Sequence, residues 1–284
     1  METLQTITAM RSAVEYWRTS YGRIALVPTM GNLHEGHLAL VDRAAQLSDY
    51  VVVSIFVNPL QFNDQHDYAN YPRTFKKDQQ YLAAHRKAAA IFAPVLEDIY
   101  PQPLKNITRV EVPSLSNILE GAYRLGHFSG VGTIVMTLFN VVQPHVAVFG
   151  EKDYQQLLII RYMVADLAVS IDIESVATVR DESGLALSSR NCYLSEEERA
   201  QAPVLFNTLS IAAEAIEGGR RDFSSLEEEG YRILKNKGFY PDYFCIRNPE
   251  DLAKPKGGEE KLIILTAAYL GKARLIDNIL VKLT

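Results

Sequence analysis

The chain has 284 residues, 48% apolar and 22% charged, with 29 Lys and Arg against 34 Asp and Glu for a net charge of −5. That length suits one large domain or two modest ones, burying about three quarters of the unfolded surface without covalent staples. The acidic balance excludes a general nucleic-acid binder, whose footprint is basic, but not a local patch for a small anion. Residues 1–17 carry no apolar run behind positive charge, so no secretory leader is expected. The longest apolar stretches, 131–142 and 262–270, are too short and too polar to span a bilayer. Cys192 and Cys245 fit no metal or redox spacing, and a reduced cytoplasmic protein is expected.

Ile7, Met10, Val14 and Trp17 recur at helical spacing, and Gly22 can end that helix. Residues 23–27 read as a short buried strand. Leu38, Val41, Ala44, Ala45 and Leu47 suit the inner face of a second helix. Residues 50–57 are β-branched and almost wholly apolar, as in a strand covered on both faces of a parallel sheet. Further strands are expected at 90–93, 145–149 and 172–179, with helices at 74–87, 132–142 and 154–167. Repeated strand–helix–strand units predict an α/β fold with an open parallel sheet and helices on both faces. Beyond Val179 the character shifts. Residues 180–192 are polar and turn-like, and Ser195 with Glu198 has capping-box spacing before a long helix to about Ile216. A second amphipathic helix at 223–235 and strands at 243–247 and 261–268 predict a small α+β C-terminal domain. The expected domains are 1–179 and 180–284.

The most informative segment is Pro28-Thr29-Met30-Gly31-Asn32-Leu33-His34-Glu35-Gly36-His37, between the first predicted strand of the sheet and a helix. Open α/β sheets bind ligands outside the carboxyl ends of their strands. Gly31 and Gly36 let backbone approach a phosphate, and the helix start offers N–H groups and a positive dipole end. His34 and His37, three apart, share a helical face and can donate to phosphate oxygens and to charge on a leaving pyrophosphate. A zinc site would want a third ligand and i, i+4 histidines. No phosphate-loop signature is present, because Gly271-Lys272 is followed by Ala273. Gly130-Val131-Gly132 begins a dinucleotide pattern that Val135 leaves incomplete.

The H-x-G-H set resembles the nucleotidylyltransferase superfamily, which includes the class I aminoacyl-tRNA synthetases. The longer string looks like one member family, the pantothenate synthetases (pantoate–β-alanine ligases). Colinear matches follow at 53–62 (V-S-I-F-V-N-P-L-Q-F), 71–74 (Y-P-R-T), 120–131, 139–156, 184–194 and 267–278. The resemblance implies a Rossmann-like sheet domain with a C-terminal lid, and an ATP- and Mg2+-dependent ligase. Pantoate would be activated as pantoyl adenylate with release of pyrophosphate. The amine of β-alanine would then give pantothenate and AMP.

By the same resemblance His37 is a proton donor and His34 a second phosphate contact, within an ATP loop of Met30, Gly31, Asn32, Leu33, Glu35 and Gly36. Asn58, Gln61 and Gln156 would bind pantoate and β-alanine. Gly150, Glu151, Lys152 and Asp153 would meet ATP, with Lys152 on the phosphates and Asp153 near the ribose. Val179 would meet the adenine through its backbone, and Leu187, Ser188, Ser189 and Arg190 would clamp phosphate oxygens. Where some members carry several Asp after Y-P-R-T, this chain has Phe-Lys-Lys-Asp, leaving Asp78 to meet Mg2+, through water. Leu125 replaces a frequent Pro. A cytoplasmic homodimer acting on small molecules, with no nucleic-acid or membrane partner, is implied. The rivals are an adenylyltransferase for a phosphate acceptor and an idle nucleotide-binding module.

Overall fold

The computed structural model describes residues 1–283. Six strands, β1 (Glu2–Leu4), β2 (Ile24–Thr29), β3 (Tyr50–Ile55), β4 (Ala90–Phe92), β5 (Val146–Gly150) and β6 (Asp172–Val176), form one sheet in the order β1-β4-β3-β2-β5-β6. Every pairing in it is parallel. The uninterrupted apolar strands follow from cover on both faces. Ala25, Val27, Val53, Ile91 and Val148 pack with Leu38, Val41 and Ala44 of the helix Glu35–Leu47. The alternate residues Ile24, Leu26, Val52, Phe92 and Ala147 are equally buried. Helices Ile7–Thr19 and His127–Val142 pack together, and the second also meets β2. Strand order reverses between β2 and β5, so the crevice that binds ligands in such sheets opens where these two strands end.

By contact density the chain forms two units, one of Met1–Glu151 with Gln156–Ala177, the other of Lys152–Gln155 with everything described from Thr178 onward. The second unit has an antiparallel sheet of β7 (Tyr240–Arg247), β8 (Lys261–Leu270) and β9 (Ala273–Lys282). Helices Val204–Glu217 and Phe223–Asn236 cover it through Leu209, Ile216, Leu226 and Leu234. Gly230 lets the second helix lie on the Phe244 ring, where a Cβ would stand 2.5 Å from Cε1.

The α/β and α+β readings hold, with local corrections. The helix expected from Ser195 to Ile216 is two, Glu196–Gln201 and Val204–Glu217, parted at Ala202-Pro203, because proline has no N–H to continue the ladder. The helix expected at 132 begins at His127, its glycines masking the pattern. β1 and β9 are strands that the sequence pattern does not announce. Gly271-Lys272 is the two-residue turn of the β8–β9 hairpin, with Gly271 at φ +55°. Gly130 and Gly132 lie inside a buried helix and serve packing. Cys192 and Cys245 are unpaired, and burial pushes the Cys245 thiol up to about 12.

Candidate active site

The loop after β2 is fixed from below by a carboxylate. Asp78, buried in the helix Phe75–His85, accepts the N–H of Asn32 at 3.0 Å and of Leu33 at 2.9 Å, one on each oxygen. The Thr74 hydroxyl lies 3.2 and 3.1 Å from the same two oxygens. Gly31 has φ +81°, and a Cβ there would stand 3.0 Å from Asp78 Oδ2 and 3.1 Å from Ile55, so conformation and space both demand glycine. Thr29 Oγ1 donates to Ser54 O and accepts from Gly31 N, tying the end of β2 to the loop.

His34 is the N-cap of the helix Glu35–Leu47 and accepts the Gly36 N–H on Nδ1 at 3.2 Å. His37 Nδ1 accepts the His34 N–H at 3.3 Å. A backbone amide only donates, so each Nδ1 is the acceptor, and the neutral imidazole carries its proton on Nε2. The two rings lie 4.1 Å apart. The loop therefore presents a pair of Nε2–H donors at a helix N-terminus. Glu35 accepts from the Tyr81 hydroxyl, and burial followed by that carboxylate pushes the phenol up to about 12.

Beyond β3, Asn58 is buried and caps the turn Pro59–Gln61. Its Nδ2 donates to Gln61 Oε1 at 3.2 Å and to Gly130 O at 3.1 Å. Its Oδ1 accepts from Tyr100 OH at 3.0 Å and Leu60 N at 3.3 Å. All four hydrogen-bonding positions of this amide are thus taken. Burial pushes the Tyr100 phenol strongly upward, so it stays a donor. Gln61 Nε2 donates to Met30 Sδ at 2.9 Å, a weak acceptor that a ligand oxygen can replace. The Gln61 carbonyl accepts from His127 Nδ1 at 2.7 Å, and Arg124 lies 3.0 Å from His127 Nε2. Arginine cannot accept, so His127 has its proton on Nδ1. Buried Glu120 stands 4.0 Å from Arg124. Gly130 admits this arrangement, since a Cβ would lie 2.2 Å from Leu60 O. Gln156 is half-buried in the helix Tyr154–Asp166, and Gly150 has open space where a Cβ would be.

In the second unit Lys152 lies 3.7 Å from Asp153. Leu187 N donates to Val179 O at 2.9 Å, closing a hairpin with the Arg180–Ala186 bridge. Ser188 caps the short turn Ser189–Tyr193 by accepting from Arg190 N at 3.2 Å, which leaves its hydroxyl proton to donate elsewhere.

A cavity of about 250 Å³ in the first unit adjoins the loop through Met30, Gly31 and Asp78, and runs to Val57, Phe75 and Pro94. It includes neither the histidines nor Gln61. No group of three or more His, Cys, Asp or Glu arranged for a metal occurs among the described residues. Each oxygen of Asp78 accepts a backbone N–H, which commits the carboxylate to holding the loop. Sequence reasoning names the loop, Asn58, Gln61 and Lys152. It misses the loop-holding role of Asp78 and the supporting Tyr100, Arg124 and His127, although Glu120–His127 lies inside a matched segment.

A parallel sheet with an H-x-G-H loop at its topological switch point, its imidazoles set as donors, defines an enzyme of the nucleotidyl-transfer class. The model of the pantoate-β-alanine ligase family matches residues 2–280, and the chain belongs to that family. It is 68% identical to the pantothenate synthetase of Nitrosococcus oceani over 100% of this chain and 99% of the relative. To the Stutzerimonas stutzeri enzyme of the same name it is 52% identical, with the same coverage. Pantothenate synthetase from Thermus thermophilus superposes with a TM-score of 0.90 at 43% identity, over 98% of this chain and 99% of that one. Pantoate-β-alanine ligase from Francisella tularensis, crystallised with β-γ ATP and β-alanine, gives 0.82 at 36% identity, over 99% and 97% of the two chains. The protein is therefore a ligase of this family.

Proposed function

We propose that this ligase joins pantoate to β-alanine through pantoyl adenylate, with the loop Met30–His37 as the site of phosphate chemistry. The observation that carries this reading is the pair of imidazoles whose Nδ1 atoms accept backbone N–H groups, which makes each ring an Nε2–H donor. In the first step a pantoate carboxylate oxygen bonds to the α-phosphorus of ATP. The bond from that phosphorus to the bridging oxygen breaks, and pyrophosphate leaves with the electron pair. The carboxylate is ionised at neutral pH, so no base is required. Donors are required for the charge that grows on the leaving group, and His34 and His37 supply them. Lys152, Ser188, Ser189 and Arg190 add cationic and hydroxyl contacts to the phosphate oxygens. In the second step the amine nitrogen of β-alanine bonds to the acyl carbon, the acyl–phosphate C–O bond breaks, AMP leaves, and the nitrogen loses a proton.

Gln61 contacts pantoate by exchanging Met30 Sδ for a substrate oxygen, with Gln156 as a second amide. Asn58 acts through Gln61, which it holds, because its own positions are filled. Gly150, Glu151 and Asp153 line the nucleotide, and the Val179 backbone meets the adenine. Mg2+ arrives with the triphosphate and keeps phosphate and water ligands, without a carboxylate from Asp78. A cytoplasmic homodimer, with residues 180–284 as a lid domain, completes the proposal.

The test is pyrophosphate release from Mg-ATP with pantoate, with and without β-alanine. Release with pantoate alone, followed by AMP and pantothenate once β-alanine is added, is the expected result. Release that requires a phosphorylated acceptor instead, or ATP binding without release, overturns the proposal.

A further inference from the structure

Lys152 lies two residues beyond the end of β5, yet the segment Lys152–Gln155 groups with the C-terminal unit. Side-chain hydrogen bonds tie it to that unit. Asn278 Nδ2 donates to the Lys152 carbonyl at 2.9 Å, and Tyr154 OH donates to the Pro249 carbonyl at 3.0 Å. Asn278 is 8% exposed, on β9. Its neighbour Asp277 is 4% exposed, forms a two-pronged pair with Arg180 at 2.6 and 2.9 Å, and accepts the Asn278 N–H at 2.8 Å. The Arg180 guanidinium also lies 3.5 Å over the Phe206 ring and donates to the Gly184 carbonyl at 3.1 Å. Arg180 opens the hairpin whose far strand leads into Leu187, Ser188, Ser189 and Arg190. Two consecutive residues of one strand thus hold both segments of this unit that carry phosphate-binding groups.

We infer that Asn278 is a positioning residue for adenylate formation, acting through Lys152. The inference rests on the reading that the Lys152 ammonium meets the phosphates of ATP. Lysine reaches its target on a flexible four-carbon stem and is a point charge without the built-in geometry of arginine. Where the ammonium can go is therefore set by where the stem begins. The pairing of the ammonium with Asp153, at 3.7 Å, is longer than a hydrogen bond and fixes the head weakly. The Asn278 amide fixes the stem's backbone instead. Asp277, through Arg180, fixes the hairpin beside it from the same strand, so the two groups keep a constant relation. Such an arrangement lowers the ordering needed when the triphosphate is engaged.

The experiment compares wild type, Asn278→Ala, Asn278→Asp, Lys152→Ala and the Lys152→Ala/Asn278→Ala double variant. Pantoate-dependent pyrophosphate release is measured against ATP concentration, and each variant's thermal midpoint is recorded. Asn278→Ala is expected to lower kcat/KM for ATP about tenfold with the KM for β-alanine unchanged. Asn278→Asp keeps the size but loses the donor, and falls with it. In the Lys152→Ala background the same change has less than about a twofold effect, because the ammonium it served is gone. Lys152→Ala keeps the carbonyl that Asn278 holds, so any fall in thermal midpoint is the same in both backgrounds. An undiminished tenfold effect in the double variant, or a wild-type-like Asn278→Asp, overturns the inference while leaving Lys152 in its role. Wild-type turnover in Lys152→Ala overturns the reading of Lys152 itself, and the inference with it.

Discussion

The two regions of this ligase that we propose bind phosphate are built on opposite plans. In the first unit the groups are neighbours in the chain. Met30 to His37 leave one buried parallel strand and enter one helix, and the loop's shape is set by Asp78 beneath it and by the imidazoles capping their own helix. In the second unit the groups are distant in the chain. Lys152, the hairpin ending at Leu187, and the turn with Ser188 and Arg190 are brought together by Asp277 and Asn278 on β9. The first plan fixes proton positions on rings, so it suits the chemical step. The second fixes the roots of long or hydroxylated side chains, so it suits gripping a charged substrate. Damage to the first should appear mostly in kcat, and damage to the second mostly in KM for ATP.

The largest expected effect follows from removing a ring donor. His37→Ala should slow pantoate-dependent pyrophosphate release about a hundred- to a thousandfold, as with loss of a preorganised donor elsewhere. Its urea-unfolding midpoint should stay near that of wild type, since the helix keeps its His34 cap. A variant that turns over at the wild-type rate would remove His37 from the chemistry and erase the contrast between the regions. Arg190→Ala should instead raise KM for ATP more than it lowers kcat.

Next in size is the support beneath the loop. Asp78→Ala leaves the Asn32 and Leu33 N–H groups without their acceptor, at a cost of about 2 kcal/mol from the desolvated amides. Chemical unfolding measures that loss, and kcat should fall with it more than the KM for ATP rises. Equal Mg2+ dependence of wild type and Asp78→Ala would separate loop support from metal binding. A shift in Mg2+ dependence alone, with stability intact, would return Asp78 to the metal. Gly130→Ala comes third. Its Cβ would press on Leu60 O and Gln61 N, an overpacking worth about 1–3 kcal/mol. Because that pressure displaces Gln61, the KM for pantoate should rise while that for ATP does not.

The same contrast explains what the sequence makes readable. β2, β3 and β5 announce themselves because strands covered on both faces must be apolar throughout, and the loop between β2 and its helix is a contiguous string. β1 and β4 are three residues each, too short for any periodicity, and β1 leaves no signal. β9 alternates Ala273, Leu275 and Asp277 inward. Its buried Asp277 spoils the apolar alternation, and only pairing with Arg180, 97 residues away, allows that burial. The helix at 127 reads short because Gly130 and Gly132 look like helix breakers until Leu60 and Val110 are seen against them. Asp78 reads as a magnesium contact through water because related sequences carry several Asp at that place. It also holds backbone amides about 45 residues away, which no side-chain pattern records.

The smallest expected effect concerns acid sensitivity, and it separates the units again. All six histidines precede Glu151, so the second unit has no group that ordinarily titrates between pH 5 and 8 through imidazole. At the start of β5, His145 Nδ1 accepts the Ile24 N–H at 3.0 Å. Burial, and then the Arg18 and Arg23 cations, hold its pKa below the ordinary 6.5, against the backbone bond and Asp172. A depressed folded value means that the folded state favours the neutral ring. Its contribution to stability is complete above pH 6.5 and is lost as pH falls through the lower folded value. Asp42, also depressed, loses its contribution only as pH falls below its ordinary 3.8. Trp17, stacked on Tyr50 at 4.9 Å in the first unit, gives that unit its own fluorescence signal. Urea unfolding followed at Trp17 should therefore lose stability as pH falls below about 6.5. His145→Asn, which can still accept from Ile24 but cannot be charged, should lose less. Identical losses in the two proteins would clear His145, and place the acid sensitivity of the first unit on its other histidines.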